Sequence, residues 1–254
     1  MPRVIAFGDL HLGNIMSDTI AFRQLLDKAL AEKPDCIVFL GDVIDGAFKY
    51  PTQMYRIPNI RPIDIQRVMF KDFILDYIEK KCGKKSPLLV FIKGNHDVNF
   101  IENFLKPAFS DVKLPYKYVY QFKIDNTLFM HYITRRSRGS YATTLTPQLV
   151  SMCMSIMLKE GVKRLVFGHL HRSVVFTRIA SGEIIVLPPF IRRDDAYDNM
   201  YDFCIAIIDT DKNKVSFVCQ EPTADLAEVQ VYNTELRHRA EVKLIREEGG
   251  LRPF

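Results

Sequence analysis

The fold is decided by ten residues, CIVFLGDVID at positions 36–45, in which a short apolar run passes directly into glycine and two aspartates. An apolar run that stops at a glycine is typical of a short strand buried on both faces. Two similar stretches flank it along the chain, RVIAFGDLH at residues 3–11 and LLVFIKGNHD at residues 88–97. Each of the three therefore predicts a buried strand that ends in polar side chains.

Segments with helical spacing separate these three strands. Residues 19–30 and 63–78 repeat apolar side chains every three or four positions, as the buried face of a helix does. Strands that alternate with helices in this way predict a parallel sheet with right-handed crossovers and helices on its faces. The first half of the chain is therefore expected to form an α/β fold.

The second half of the chain is richer in strands. Hairpins are predicted over residues 116–124 with 127–131, 174–179 with 183–187, and 203–209 with 214–219. A helix is predicted over residues 147–159, with Thr146 as its N-cap. Residues 164–167 form one further predicted strand, which ends at Gly168.

The composition is that of an ordinary globular protein. Hydrophobic residues make up 48% and charged residues 26% of 254 residues, which allows one large domain or one domain with a small appendage. The net charge of +5 is compatible with a phosphate-rich substrate but is too small to indicate a nucleic-acid-binding surface. No apolar run approaches the roughly 20 residues of a membrane span, so no such span is expected.

The cysteines and the N-terminus favour a reducing compartment. The five cysteines are dispersed, odd in number and without a CxxC pair, so neither a disulfide framework nor a thiolate zinc site is predicted. The apolar run near the N-terminus is interrupted by Asp9 too early to be a signal peptide. We therefore expect a cytoplasmic protein.

Side chains that can bind metals follow five of the predicted strands. Five of the six histidines stand at strand ends beside carboxylates or an amide, and only His238 lies elsewhere. Ligands of open α/β sheets collect at the carboxyl ends of the strands. The candidate metal ligands are Asp9, His11, Asp42, Asn95, His131, His169 and His171.

These ligand types indicate a pair of divalent ions. Carboxylates and imidazoles suit manganese, iron, zinc, cobalt or nickel, and the absence of cysteine ligands argues against a structural zinc site. Seven ligands are too many for one ion with open coordination, but they suit two ions that share a carboxylate. Two ions about 3.5–4 Å apart can activate a bridging water and clamp a phosphoryl group. We expect manganese, with iron, zinc, cobalt, nickel or magnesium as alternatives.

The polar residues form five blocks in order: D-x-H from Asp9, G-D-x-x-D from Gly41, G-N-H-D from Gly94, the isolated His131, and G-H-x-H from Gly168. Over residues 1 to about 219, the chain resembles the calcineurin-like metallophosphoesterase superfamily in these blocks. The resemblance implies a four-layer αββα fold, a mixed β-sandwich flanked by helices, with the metals at one sandwich edge. The predicted organisation is a catalytic domain over residues 1–220 and a charged extension over residues 221–254 that packs on it.

The resemblance also implies a role for each residue. The first metal would be held by Asp9, His11, Asp42 and His171, and the second by Asp42, Asn95, His131 and His169. His96 would contact the substrate phosphate and stabilise charge or protonate the leaving oxygen. Asp45 matches the family carboxylate that pairs with this histidine and raises its basicity. Asp97 is interpreted equally well as a helix-start residue or as a support behind the ligands.

Departures from known subfamilies narrow the substrate. The related protein Ser/Thr phosphatases carry arginine where this chain has Gly46, and the lipid-A pathway diphosphatases usually carry arginine where it has His96. The repair nucleases normally have a longer stretch than the 35 residues between Asn95 and His131. The compact spacing is similar to that of small bacterial, archaeal or phage phosphodiesterases, and this resemblance implies a phosphodiesterase acting on a nucleotide or nucleic acid. The alternatives are a phosphomonoesterase or pyrophosphatase on a small metabolite, including a nucleotide-sugar lipid, and a non-enzymatic scaffold, which the complete ligand set disfavours.

Two basic segments are candidates for substrate contact. Arg135, Arg136 and Arg138 closely follow a candidate ligand and could hold non-scissile phosphates, or they could form a solvated loop. Tyr55 and Arg56 could stack on a base or could simply pack a loop. The expected partner is a phosphate-containing substrate, and the sequence leaves the oligomeric state open.

Overall fold

Two β-sheets form the centre of the molecule. The structure, a computed structural model, describes residues 2–45, 62–83, 85–97, 106–132, 145–171, 173–191 and 202–247. Its strands are β1 (Arg3–Phe7), β2 (Cys36–Phe39), β3 (Leu88–Ile92), β4 (Tyr116–Val119), β5 (Gln121–Ile124), β6 (Thr127–Met130), β7 (Arg164–Phe167), β8 (Val175–Ile179), β9 (Gly182–Val186), β10 (Phe203–Asp209) and β11 (Lys214–Gln220). Its helices are α1 (Thr19–Ala31), α2 (Pro62–Phe70), α3 (Asp76–Cys82), α4 (Lys106–Ala108), α5 (Pro147–Glu160) and α6 (Leu226–Glu247).

Hydrogen bonding arranges the strands in two mixed sheets. The first has the order β11-β10-β1-β2-β3-β4, in which β1 to β4 run parallel and β10 and β11 pair antiparallel. The second has the order β5-β6-β7-β9-β8, in which β6, β7 and β9 are parallel and the edge strands β5 and β8 are antiparallel. The parallel sheet predicted for the first half is confirmed, because β1, β2 and β3 lie side by side.

Three buried apolar clusters join the layers. Between the sheets, Val38 and Val90 of the first sheet share one cluster with Phe129 and Val166 of the second. A larger cluster lies between the first sheet and helices α1, α2, α3 and α6, and a third lies between the second sheet and α5. The predicted four-layer αββα fold is therefore confirmed.

The three helices predicted from capping or periodic signals are present, and each is longer than predicted. The Thr146 side chain accepts a hydrogen bond from the Leu149 amide at the start of α5, as an N-cap does. The helix predicted over residues 63–78 is continuous from α2 through a π-helical turn, Lys71–Leu75, into α3.

Within the described part of the chain, no helix combines the length and the apolarity that crossing a bilayer requires.

The single strand predicted over residues 116–124 is wrong. It divides at Tyr120 into β4, which pairs with β3 in the first sheet, and β5, which pairs with β6 in the second. Both halves have the alternating pattern of a strand, so the sequence does not reveal that the chain changes sheets between them. This crossing point brings the edges of the two sheets together at Tyr120.

The expectation that no cysteines pair is also wrong. Cys204 and Cys219 are joined by a disulfide, because the antiparallel register of β10 and β11 places them directly opposite each other. Their separation of 15 residues carries no sequence signal. The cytoplasmic setting expected from the sequence stays a prediction.

Helix α6 anchors the segment that follows the D-x-H block of Asp9 and His11. The Asn233 side-chain amide is buried and donates to the carbonyl oxygens of Ile15 (3.1 Å) and Ser17 (2.7 Å), while the Thr19 hydroxyl donates to the Asn233 amide oxygen. The Ser17 hydroxyl in turn donates to the Leu10 carbonyl, between the two candidate ligands of the block. The charged extension thus packs on the rest of the chain, although the predicted division at residue 220 stays a prediction.

Replacing Asn233 with alanine is expected to lower the free energy of unfolding by about 1–3 kcal/mol, because the Ile15 carbonyl and the buried Ser17 carbonyl lose their donor. Urea unfolding followed by circular dichroism measures the change. Glu235→Ala, on the exposed side of the same helix, is the control and is expected to change stability by less than about 0.5 kcal/mol. Equal stability of the two variants would contradict the anchoring role.

Candidate metal centre

Five strand ends bring the predicted ligands to one place. Strands β1, β2 and β3 of the first sheet and β6 and β7 of the second each end immediately before a polar block. The parallel registers carry these blocks to the same edge of the sandwich. Their ligand atoms form two groups, which are described in turn.

The first group contains Asp9, His11, Asp42 and His171, and its ligand atoms lie within 4.8 Å of one another. The Nε2 atoms of His11 and His171 are 3.2 Å apart. His171 Nε2 is 3.4 Å from Asp9 Oδ2, and His11 Nε2 is 3.8 Å from Asp42 Oδ2. Three of the four side chains are fully buried, and His171 is half-buried at the rim.

The second group contains Asp42, His131 and His169, again within 4.8 Å. His131 Nε2 is 3.3 Å from Asp42 Oδ2 and 3.2 Å from His169 Nδ1. The Asn95 side-chain oxygen lies 3.0 Å from the same His131 nitrogen, on the solvent side. Asp42 is therefore common to both groups, and all seven predicted ligands are brought together.

The spacing of these atoms fits divalent ions. Ligand atoms bound at about 2.1 Å, at angles between 90° and the tetrahedral angle, lie about 3.0–3.4 Å apart. The two histidine pairs, each with facing nitrogens 3.2 Å apart, fall within that range. The buried Asp9 Oδ1 makes no hydrogen bond within the described residues, and His131 Nδ1 is 3.5 Å away. The types of donor atom, their spacing and the unpaired Asp9 Oδ1 therefore fit a metal site.

Electrostatic interactions keep the buried carboxylates ionised. Burial opposes ionisation of Asp9, but the His131 and His171 rings outweigh it and hold its pKa well below the ordinary value. The pKa of Asp42 is also lowered, against burial, by His131 and His11. Burial and the neighbouring charge of His131 lower the pKa of His169 to about 4. Anionic carboxylates beside a neutral imidazole are the state that binds a cation.

The backbone at four of the ligands adopts the left-handed conformation. The φ angles are 50° at His11, 45° at Asp42, 66° at His169 and 47° at His171. Non-glycine residues in this region each carry a strain of about 1–3 kcal/mol and persist only where neighbouring contacts hold them. The Leu10 and His11 amides donate to the Asp42 carbonyl at 3.1 and 2.8 Å, which ties the first two blocks together.

Two glycines are required by close approach. A Cβ on Gly94 would lie 2.1 Å from the Asp42 amide nitrogen, and one on Gly168 would lie 2.5 Å from Asp9 Oδ1. Neither position has room for a side chain, so both glycines let the blocks meet. This close approach is the physical reason why a glycine stands at the first position of each of these two blocks.

Asp97 supports the loops that carry the ligands. Its buried carboxylate accepts hydrogen bonds from the amides of Val43 (3.0 Å), Ile44 (3.4 Å) and Gly94 (3.0 Å). Burial and the nearby charge of Asp42 raise its pKa to about 7. Of the two interpretations that the sequence left open, these bonds favour the supporting role.

A main-chain group that the sequence did not reveal orients His131. His131 Nδ1 lies 2.8 Å from the Leu40 carbonyl oxygen, so it carries the proton and donates it, leaving Nε2 to face Asp42 and His169. A carbonyl has no sequence signature, and only the position of Leu40 at the end of the β2 segment would have suggested it.

Comparison with known proteins identifies the family of the chain. The family model for calcineurin-like phosphoesterases matches residues 2–173, which is more than half of the chain. The chain belongs to the calcineurin-like phosphoesterase family. No curated protein sequence matches it significantly.

Several solved structures resemble the chain at low sequence identity. An archaeal phosphodiesterase is 14% identical with a TM-score of 0.49, over 86% of this chain and 99% of the other. Vps29 from Chaetomium thermophilum is 13% identical with a TM-score of 0.45, over 88% and 98%. A hypothetical protein from Pyrococcus horikoshii is 14% identical with a TM-score of 0.44, over 94% and 95%.

The structure places His96 and Asp45, the predicted catalytic pair, next to each other. His96 Nδ1 lies 2.9 Å from the main-chain carbonyl of Asp45, whereas the Asp45 carboxylate lies 3.4 Å from His11 Nδ1 and accepts a hydrogen bond from Asn14 at 3.2 Å. The carboxylate of Asp45 thus faces the candidate metal ligand His11.

The candidate substrate contacts all lie outside the described residues: Tyr55, Arg56, Arg135, Arg136 and Arg138.

Asp45→Ala is expected to weaken Mn²⁺ binding by about 10–100-fold, because the carboxylate that lies 3.4 Å from His11 Nδ1 and supports this candidate ligand is lost. Calorimetric titration of metal-free protein measures the affinity. Asp111→Ala removes an exposed carboxylate elsewhere and is expected to leave the affinity unchanged. If Asp45→Ala bound Mn²⁺ as tightly as wild type but turned over more slowly, its carboxylate would act through His96 instead.

Proposed function

We propose that this phosphoesterase is a two-metal phosphodiesterase that acts on a nucleotide or nucleic-acid substrate. The observation that carries the proposal is the pair of ligand groups that share Asp42. A shared carboxylate with separate histidines on either side is the arrangement that holds two ions close enough to act on one phosphate. The half-buried His96 stands at the rim of this centre.

The bound ions would supply Lewis-acid charge and an activated water nucleophile. Asp9, His11, Asp42 and His171 would hold one ion, and Asp42, Asn95, His131 and His169 would hold the other. The donor set suits Mn²⁺ first, with iron, zinc, cobalt, nickel and magnesium as further candidates to be compared.

His96 has the position of a proton donor. Its ring meets the His11 ring edge-on at a centroid distance of 4.7 Å, so it lies beside the first ligand group. Its amide donates to Asp42 Oδ1 at 2.7 Å, which fixes the residue against the shared carboxylate. With Nδ1 held at the Asp45 carbonyl, a proton on the other ring nitrogen can pass to the leaving oxygen.

The test compares two chromogenic esters on metal-free and reconstituted protein. After chelation and addition of Mn²⁺, we expect about two ions per chain and faster hydrolysis of bis-p-nitrophenyl phosphate than of p-nitrophenyl phosphate. A clear preference for the monoester would overturn the phosphodiesterase proposal in favour of a monoesterase. Protein that bound no metal and hydrolysed neither ester would instead be a scaffold.

The class of natural diester is tested separately. Single-stranded, nicked and duplex DNA, together with RNA, are incubated with the Mn²⁺-loaded protein and the products resolved by size. Cleavage of at least one polymer is expected if the substrate is a nucleic acid. Failure on all four, with bis-p-nitrophenyl phosphate still hydrolysed, would restrict the substrate to a small nucleotide diester.

A further inference from the structure

Tyr120 presents an exposed aromatic ring where the chain crosses between the sheets. It follows β4, precedes β5, and is 72% exposed. An aromatic side chain this accessible leaves most of its apolar surface open to a ligand. The position of the Tyr120 ring beside the second ligand group suggests that the ring has a function at the site.

The strand registers place Tyr120 beside the second ligand group. Val119 pairs with Ile92 at the end of β3, and the Lys93 amide donates to the Val119 carbonyl at 2.9 Å, two residues before Asn95. On the other side, Gln121 pairs with Met130, the residue before His131. The partner strands on the two sides of Tyr120, β3 and β6, therefore lead directly into ligands of the second group.

A lysine fixes the Tyr120 ring. Lys93 Nζ donates to the Tyr120 hydroxyl at 3.2 Å and lies 4.9 Å from the ring centroid. The ammonium group restrains the ring through its hydroxyl and places positive charge beside the second ligand group.

We propose that Tyr120 and Lys93 form a subsite for the nucleobase of the substrate, next to the second metal. The proposal rests on the proposed function and names the part of a nucleotide diester that this site recognises. A base stacks on the Tyr120 ring, and the Lys93 charge attracts the adjoining phosphate. Stacking accepts every base, so the subsite selects nucleotides without selecting a sequence.

The experiment compares two diesters with the same leaving group. The p-nitrophenyl ester of thymidine 5′-phosphate carries a base, and methyl p-nitrophenyl phosphate does not. In Mn²⁺-loaded protein, Tyr120→Ala is expected to lower kcat/KM for the thymidine ester about 5–100-fold, the range for loss of an aromatic stacking partner, and to leave the methyl ester unchanged. Tyr120→Phe, which keeps the ring, is expected to stay within about threefold of wild type.

Tyr116→Ala is the matched control, because Tyr116 is also partly exposed but stands at the opposite end of β4. It is expected to affect neither ester. An equal loss on both esters in Tyr120→Ala, or no loss on either, would overturn the subsite. If wild type cleaved neither diester, the proposed function would fail, and calorimetric binding of thymidine 5′-monophosphate, weakened or unchanged by Tyr120→Ala, would still decide the subsite.

Discussion

Replacing Asp42 with alanine is expected to lower the rate of phosphodiester hydrolysis by about a thousandfold or more. Asp42 is the side chain common to both ligand groups, so its loss removes one ligand from each ion. A loss of about 4 kcal/mol in transition-state stabilisation corresponds to this factor. Hydrolysis of bis-p-nitrophenyl phosphate, measured together with the metal content per chain, tests the prediction.

A conservative variant separates chemistry from folding. Asp42 also accepts a hydrogen bond from the His96 amide, so alanine could disturb the loop after β3. Asp42→Asn keeps an acceptor oxygen but removes the negative charge, and it is expected to lose metal and activity almost as severely. Two ions per chain and wild-type turnover in Asp42→Asn would contradict the shared-ligand assignment.

His96→Ala is expected to lower kcat about 10²–10⁴-fold while both metals remain bound, because it removes a proton donor and no ligand. Turnover and metal content are measured on the same sample. His238→Ala provides the control, since His238 is an exposed histidine on α6 outside the centre. If metal were lost together with activity in His96→Ala, His96 would have to be reassigned as a ligand.

Much of the fold follows from local sequence patterns. Apolar runs that end in glycine predicted β1, β2 and β3, and Thr146 predicted the start of α5. The division at Tyr120 was not predictable, because an alternating pattern is the same whichever sheet receives the strand. The Cys204–Cys219 bond was missed for a similar reason, since it depends on strand register.

The candidate site could be predicted to the extent that it uses side chains at strand ends. All seven predicted ligands are brought together, because parallel strands carry their carboxyl ends to one edge. The groups that hold these ligands in position could not be predicted from the sequence. The carboxylates of Asp45 and Asp97 are directed by loop geometry, and Leu40 contributes only a carbonyl. The basic loops expected to contact substrate stay predictions.

The position of β1 in the first sheet has a consequence for folding during synthesis. β1 lies between β2 and β10, with Val4 opposite Ile208, so its second partner leaves the ribosome roughly 200 residues later. At about 5–20 residues per second, one edge of β1 stays unpaired for about 10 seconds or longer. Asp9 and His11 follow this strand directly. Metal capture is therefore expected late, after the nascent chain has closed its first sheet.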